Sequence, residues 1–211
     1  MRKFFEIGGL VAAVVLIAFG VVTIAMGVSG RSTVSDSLKL EQITGSADMT
    51  PSAIAAEAKK AGLPASVSLP TVDIANKAIN SGARARVFAE YMRIHTLEAT
   101  GNLTYSQMPR FASADGKGTN DAAAAQKSAT GQPLDNAARQ LWVTETALTT
   151  ALNTSFMAAQ LSLFSIVVGF ALLITGIGFS ILAIGGALAK RETAVTVFAK
   201  KPKVHGSAQP A

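Results

Sequence analysis

Two long stretches without a charged residue constrain this chain more than any other feature of its sequence. Residues 7–30 contain none, and residues 146–189 contain none. At about 1.5 Å of rise per residue, the apolar residues 7–28 span about 33 Å, enough for a hydrocarbon core about 30 Å thick. In the second stretch, large aliphatic residues dominate only from about residue 160 onward. We therefore predict two transmembrane helices, at residues 7–29 and 158–189.

A cleaved signal peptide is the alternative interpretation of the first stretch. Arg2 and Lys3 precede it, and small residues such as Gly27 and Ser29 offer a cleavage site. The apolar part of a signal peptide is about 7–15 residues long, and this stretch is longer. We therefore favour an uncleaved membrane anchor.

The amino-acid composition excludes several classes of protein. Hydrophobic residues make up 49% of the chain and charged residues 15%, and the mean hydropathy is +0.37. Soluble domains carry about 25% charged residues, so an ordinary soluble enzyme is excluded. The chain has no cysteine, which rules out disulfides, thiolate metal sites and a cysteine nucleophile.

The distribution of charge predicts the orientation of the spans. Residues 1–6 and 190–211 together hold seven basic and two acidic residues, whereas residues 30–157 hold 12 basic and 11 acidic ones. Basic residues that flank membrane spans stay on the cytoplasmic side. We therefore expect a multi-pass plasma-membrane protein with a cytoplasmic N-terminus (1–6), an extracytoplasmic central domain and a basic, disordered cytoplasmic tail (190–211).

The same distribution makes nucleic acid an unexpected partner. The tail carries Lys200, Lys201 and Lys203 with only Phe198 as an aromatic neighbour. A nucleic-acid site would instead form a basic patch with interleaved aromatic residues. Attraction of these lysines to anionic lipid is the simpler interpretation, so the predicted partner of the flanks is the lipid bilayer.

The central segment, residues 30–157, is predicted to be a small all-α domain with a thin, alanine-rich core. Thr50 is a suitable N-cap with Pro51 at the first helical position, and Gly62 ends that helix. A second helix is predicted over residues 83–100.

A third helix is predicted to begin at Asp135 or Asn136 and to continue without a break to residue 188. Such a helix would leave the membrane as a stalk that is continuous with the second span. Residues 111–133, between the second and third helices, are rich in Gly, Ser, Asp, Asn and Thr. We expect them to form a mobile loop.

The second central helix carries two candidate binding surfaces. Residues at helical spacing on one side form a candidate interaction face, namely Phe88, Tyr91, Met92 and His95. Arginines on and near the same helix are candidate contacts for an anionic group, namely Arg84, Arg86 and Arg93.

Small residues in the spans predict close helix packing. The candidate pairs are Gly9 with Ala13, Ala171 with Thr175, and Gly176 with Ser180. They are expected to pair the two spans or to bind a partner. Neither span has an ionisable residue at mid-depth, so a transporter or channel acting alone is not expected.

The two histidines of the chain limit its chemistry. His95 and His205 are predicted to lie on opposite sides of the membrane, so one chain cannot form a two-histidine iron site or a histidine-rich zinc site. His95 is predicted to be a packed histidine that is hydrogen-bonded to a neighbour. The sequence has no G-x-S-x-G elbow, and loop 115–121 lacks the pattern of a calcium or phosphate loop. We expect no catalytic residue, no cofactor and no metal ligand.

Several segments of the chain resemble a family of uncharacterised actinobacterial two-span membrane proteins. They are MRKFFEIGGLVAAVVLIAFG, SGRSTVSDSLKLEQITG, DMTP, GARARVFAEYMRIHTLEATG, LTYSQMPR, DGKGTND and WVTETALTTALNTSF. The resemblance extends to about residue 190 and implies an actinobacterial source and a plasma-membrane location. Members of that family often carry the label aromatic ring-opening dioxygenase. An extradiol dioxygenase needs two histidines and a carboxylate around one iron, so the residues of this chain do not support the label.

These observations predict a non-catalytic integral membrane protein, an accessory or scaffold subunit of a plasma-membrane or cell-envelope complex. Its partner would be another membrane protein or a second copy of the chain. The alternative is an extracytoplasmic sensor or small-ligand-binding module that signals through a partner. That alternative predicts a concave apolar pocket with convergent polar groups within residues 30–157.

Overall fold

The computed structural model describes residues 2–185 of the chain. The described residues form four α-helices: α1 (Arg2–Leu40), α2 (Pro51–Lys60), α3 (Gly82–Ala99) and α4 (Ala137–Ile184). They contain isolated β-bridges but no strand, which confirms the predicted all-α class. The predicted end of the second span (186–189) and the predicted basic tail with His205 lie outside the described residues.

Two of these helices, α1 and α4, are long and apolar enough to cross a membrane. The apolar windows within them have mean hydropathies of 2.7 and 2.5. With 39 and 48 residues, the helices are about 58 and 72 Å long, roughly twice the thickness of the hydrocarbon core. Each helix is therefore much longer than the segment needed to cross the hydrocarbon core of a bilayer.

The ends of these helices differ from the predicted span boundaries in one respect. The first span was expected to end at residue 29, but α1 continues to Leu40. No Gly or Pro interrupts residues 31–40, and Asp36 pairs with Lys39 one turn later at 2.9 Å. α4 forms one uninterrupted helix from Ala137, as expected for a helix capped by Asn136, whose side-chain oxygen accepts a hydrogen bond from the Ala138 amide.

The described residues divide into two compact units, residues 2–21 with 171–185 and residues 22–170. In the described part of the first unit, α1 packs on α4 at small residues. A Cβ atom placed on Gly176 would lie 3.0 Å from the Ala13 carbonyl oxygen and 2.8 Å from a side-chain carbon of Ile17. Ala13 and Gly176 are fully buried, which makes them the centre of this helix contact.

The other small residues predicted for packing lie at the edge of this contact or away from it. Gly9 and Ser180 are half-buried, whereas Ala171 and Thr175 are exposed. The Thr175 hydroxyl donates to the Ala171 carbonyl oxygen at 2.7 Å, within its own helix. The pair Ala171/Thr175 therefore does not join the two spans, because the buried small residues of α4 recur every seven residues and this pair falls between them. Its alternative role in binding a partner stays a prediction.

The second unit contains the main core. Its largest fully buried side chains are Ile54, Ile74, Ile79, Tyr91, Ile94 and Thr96. Leu38 of α1 and Leu152 of α4 belong to the same cluster, so the two long helices form one wall of this core. The α3 helix begins against α4, since a Cβ atom on Gly82 would lie 2.7 Å from the Ala159 side chain.

The ends of α2 and α3 confirm the sequence prediction to within one residue. The Thr50 side chain accepts a hydrogen bond from the Ala53 amide at the start of α2. Ser81 caps α3 in the same way, accepting from the Arg84 amide. Gly62 and Gly101 follow the two helices with φ of +65° and +61°, the left-handed conformation that commonly ends a helix.

The segment between α3 and α4 is closed by backbone hydrogen bonds. Phe111 exchanges two hydrogen bonds with Thr119, each 2.9 Å long. Gln126 and Leu134 bridge the same loop, since the Leu134 amide donates to the Gln126 carbonyl oxygen at 2.8 Å. The mobility expected of residues 111–133 stays a prediction.

Replacing Gly176 with Ala should weaken the α1–α4 contact, because the new methyl group would meet backbone and side-chain atoms of α1. Overpacking of this kind lowers the free energy of unfolding by about 1–3 kcal/mol. Gly178→Ala is the matched control, since no atom lies within 4 Å of its added Cβ. Thermal melting of both variants in the same detergent, followed by circular dichroism, tests this expectation. Equal melting temperatures would contradict the packing described.

Candidate functional site

The predicted interaction face of α3 is largely an internal packing surface. Phe88 is 7% exposed and Tyr91 is 0% exposed, and the Tyr91 hydroxyl donates to the Val72 carbonyl oxygen at 3.1 Å. Met92 and His95 are half-buried. The prediction of a partner-binding face is corrected at Phe88 and Tyr91, because both side chains belong to the chain's own core.

The three predicted anion contacts occupy different environments. Arg84 donates to the Ala78 carbonyl oxygen at 3.0 Å and to the Asn80 side chain at 3.1 Å, so its guanidinium group stabilises the turn before α3. Arg86 and Arg93 are exposed. Arg84 therefore has a structural role in the turn before α3, unlike Arg86 and Arg93.

Arg86 and Arg93 line a cleft of approximately 490 Å³. Its apolar walls are formed by Leu63, Val67 and Leu97. The two arginines lie at its polar edge, together with Glu90, whose carboxylate is 3.3 Å from Arg86 Nε. A concave surface with apolar walls and cationic groups suits an anion that carries an apolar part.

Both arginines also contact aromatic rings. The guanidinium carbon of Arg86 lies 5.3 Å from the centre of the Phe156 ring, and that of Arg93 lies 5.4 Å from the centre of the Trp142 ring. Such cation–π contacts attract a guanidinium group to the face of the ring, and Arg86 Nε also donates a hydrogen bond to Glu90. The arginines are therefore positioned before any ligand arrives.

Glu145 is a buried carboxyl group beside Arg93. It is 4% exposed and lines a second, smaller cleft with Arg86, Glu90 and Arg93. Burial raises the pKa of Glu145 above its ordinary value, although the positive charge of Arg93 and a hydrogen bond from Thr146 act in the opposite direction. The folded state therefore favours the protonated form of Glu145.

A cluster around His95 joins three segments of the chain. His95 Nδ1 lies 2.8 Å from Glu57 Oε1, and His95 Nε2 lies 4.0 Å from Asp48 Oδ2. The cluster thus brings together α3, α2 and the segment before α2. The hydrogen bond to Glu57 agrees with the prediction of a histidine bonded to a neighbour.

The carboxyl groups of this cluster are in unlike environments. Burial and a hydrogen bond with Glu98 raise the pKa of Glu57, whereas a hydrogen bond from Ser46 lowers the pKa of Asp48. Neither Asp48 nor Glu57 forms a salt bridge with a lysine or arginine within residues 2–185. The cluster therefore carries an excess of negative charge.

No pattern in the sequence indicated this cluster, and no metal ligand was expected. Glu57 and His95 are 38 positions apart, and Asp48 is in a turn, so no local motif joins them. His95 on the half-apolar side of α3 was the one signal in the sequence. Its partners depend on how α2 packs on α3.

The outer surface of α4 carries an exposed strip. Its residues follow helical spacing and are all exposed: Val143, Ala147, Thr150, Thr154, Met157, Leu161 and Phe164. At its beginning, Tyr105 and Val143 border an open depression beside Trp142. We call this surface the α4 outer strip.

Comparisons with protein-family models, with curated proteins and with solved structures find no match for this chain. The geometry of the two clefts, the His95 cluster and the α4 outer strip is therefore the basis for functional inference.

Replacing Glu145 with Gln should change the pH dependence of stability. Because the folded-state pKa of Glu145 is raised, its protonated form stabilises the fold below the ordinary value of 4.5, and that contribution is lost as the pH rises through the raised pKa. The free energy of unfolding of E145Q should therefore exceed that of the wild type increasingly as the pH rises above 4.5.

Denaturant titrations between pH 4 and pH 8, followed by the fluorescence of Trp142, would measure this difference. Trp142 is the single tryptophan of the chain and is buried beside Arg93. Glu41→Gln is the control, because Glu41 is exposed. A constant difference between E145Q and the wild type across this range would contradict the raised pKa.

Proposed function

We propose that this chain is a two-span plasma-membrane protein that acts as a non-catalytic accessory or scaffold subunit. In this proposal both termini are cytoplasmic and residues 30–157 are extracytoplasmic. The excess of basic residues on the flanks supports this orientation, and the two long apolar helices support the spans. The resemblance to actinobacterial membrane proteins supports a bacterial plasma membrane as the setting.

The α4 outer strip is the observation that carries the proposed interaction. The strip begins outside the apolar span with Val143 and continues on the same side of α4 to Leu161 and Phe164. A partner that covers it would therefore contact the helix both outside and inside the bilayer. A membrane-spanning helix of another protein, or of a second copy of this chain, has the length and apolar character to do so.

Exposed aromatic and aliphatic side chains strengthen this interpretation. Tyr105 and Val143 are exposed outside the predicted spans, where no lipid tail would cover them. Aromatic residues bury a large area at protein interfaces. Arg139 lies 4.1 Å from the centre of the Tyr105 ring and supports it from one side. The Tyr105 ring, which Arg139 contacts, thus borders the strip and offers a surface against which a partner can pack.

Val143→Asp should remove a co-purifying membrane-protein partner, because a carboxylate in the centre of a buried apolar contact would be desolvated without a counter-charge. Val72→Asp is the matched control, since Val72 is 52% exposed and Val143 is 47% exposed. The measurement is quantitative mass spectrometry after mild-detergent purification from native membranes. The same loss in both variants, or a loss in neither, would argue against the strip as the interface.

Self-association of the chain can be tested with the same samples. Mass photometry or light scattering of the purified wild type would give the number of chains per particle. A homo-oligomer that V143D dissociates assigns the strip to self-association. A hetero-complex that V143D dissociates assigns it to an accessory role.

A small-ligand-binding module is the second candidate function. The cleft beside Arg86 and Arg93 is the specific observation that favours it, because its apolar walls and convergent cations match the pocket that this alternative predicts. Asn102 adds a side-chain oxygen that is buried without a hydrogen-bond donor. A ligand of this cleft would be a small organic anion with an apolar body and one donor group.

Benzoate should raise the melting temperature of the protein more than acetate does, because only benzoate can use the apolar walls. Arg93→Gln should weaken benzoate binding by roughly tenfold, since a charge-assisted hydrogen bond contributes about 1.5–3 kcal/mol. Arg110→Gln is the control, because Arg110 is exposed and does not line the cleft. Equal effects of both anions, or equal binding by both variants, would count against this function.

A further inference from the structure

The ring nitrogen His95 Nε2 is one of three buried side-chain polar atoms of the described residues that lack a hydrogen-bond partner. It is buried from solvent and has no hydrogen-bond partner. The nearest charged group facing it is the Asp48 carboxylate, 4.0 Å away. Buried polar atoms are almost always satisfied, so this atom needs a partner that lies between it and Asp48.

Glu57 determines what that partner can be. Its Oε1 atom lies 2.8 Å from His95 Nδ1, and a carboxylate oxygen accepts a hydrogen bond from Nδ1–H. In the neutral imidazole this leaves the lone pair on Nε2, and the Asp48 carboxylate is 4.0 Å from that atom. Two acceptors that face each other without a donor repel, and a positive species between them removes the repulsion.

We propose that His95, Asp48 and Glu57 form a binding site for a divalent transition-metal cation. His95 Nε2 and the Asp48 carboxylate bind the cation directly, and Glu57 orients the imidazole ring from the other side. Two metal–ligand bonds of about 2.1 Å that meet at a tetrahedral angle hold the ligand atoms about 3.4 Å apart, so the exposed Asp48 carboxylate, 4.0 Å from His95 Nε2 without an ion, would close on the ion by a small side-chain rotation. Water completes the coordination on the exposed side, where Asp48 is 54% exposed.

The arrangement of Glu57 and His95 matches a general feature of metal sites. A histidine that binds a metal usually donates its other ring N–H to a carboxylate, which fixes the ring and strengthens the ligand. Glu57 has that position here. Glu98 in turn forms a hydrogen bond with Glu57 and so helps to hold the Glu57 side chain in place. The site therefore has both a ligand pair and the support that orients it.

The donor atoms indicate which class of cation fits. One imidazole nitrogen and one carboxylate suit zinc and neighbouring transition metals, whereas magnesium and calcium prefer oxygen ligands alone. Because the hydrogen-bonded Glu57 and Glu98 carboxyl groups share a proton, the charge beside the imidazole comes from Asp48 and from the Glu57–Glu98 pair, and it favours a divalent cation over a monovalent one. Asp48 is in the turn before α2, and His95 is on α3, so a bound ion would link two segments of the domain.

Zinc is the probe for this site. Isothermal titration calorimetry of the full-length protein in lipid nanodiscs should give one zinc ion bound per chain, with magnesium binding far more weakly. H95Q should lose this binding and D48N should weaken it at least tenfold. E57Q should weaken it by about 10–100-fold, as removal of an orienting carboxylate does.

His205→Asn is the matched control, since His205 is the other histidine of the chain. H205N should bind zinc as the wild type does. Because H205N has His95 as its sole histidine, nitrogen NMR of this variant reports on one ring. Zinc should move the Nε2 resonance strongly, whereas Nδ1 should keep its bonded proton.

The D48N variant distinguishes a lost zinc ligand from a lost fold. Asp48 is exposed, so its substitution should leave the core intact. Circular dichroism of each variant without zinc would check helix content. Zinc binding of equal strength in the wild type, D48N and H95Q would overturn the proposal. So would the failure of the wild type to bind zinc, or a zinc-induced shift of Nδ1 in place of Nε2.

Discussion

Close packing of α1 against α4 is the constraint on which the rest of the structure depends. Within residues 22–170, a Cβ atom on Gly27 would meet the Ser162 carbonyl oxygen at 2.7 Å, so only glycine allows this approach. Because the helices are this close, Leu38 and Leu152 reach the same core and form one of its walls. The two long helices thus provide a surface on which the small domain packs, and Leu38 and Leu152 add apolar area to its thin, alanine-rich core.

The burial of α3 determines where functional groups can lie. Phe88, Tyr91 and Ile94 are buried in the core, so the charged side chains of this helix lie outside that buried surface. Arg86 and Arg93 lie on the exposed side of α3 beside an apolar cleft, whereas His95 lies on the same side of the helix as Phe88 and Tyr91, beside Glu57 of α2. The two candidate sites therefore share one helix but have opposite electrostatic character, one suited to an organic anion and one to a metal cation.

Several functional residues were recognisable before the fold was known, and others were not. Arg86 and Arg93 could be chosen because charged residues off an apolar face are exposed on most helices. Arg84 was also predicted to contact an anion, but its guanidinium group instead donates a hydrogen bond to the Ala78 carbonyl oxygen in the preceding turn. The proposed interaction surface is the α4 outer strip and not α3, because α3 is covered by other parts of the same chain and the outer side of α4 is not.

The sequence by itself determined the helices, their caps and the two apolar segments. These features depend on neighbouring residues: Thr50 caps its own helix through Ala53, and the apolar character of α1 needs no distant contact. The tertiary structure decided which glycine contacts the neighbouring helix, which face of α3 is buried, and that Asp48, Glu57 and His95 meet. The physical reason is distance along the chain. Hydrogen bonds of caps and helical periodicity act over a few residues, whereas the meeting of residues 38 positions apart follows only from the packing of whole helices.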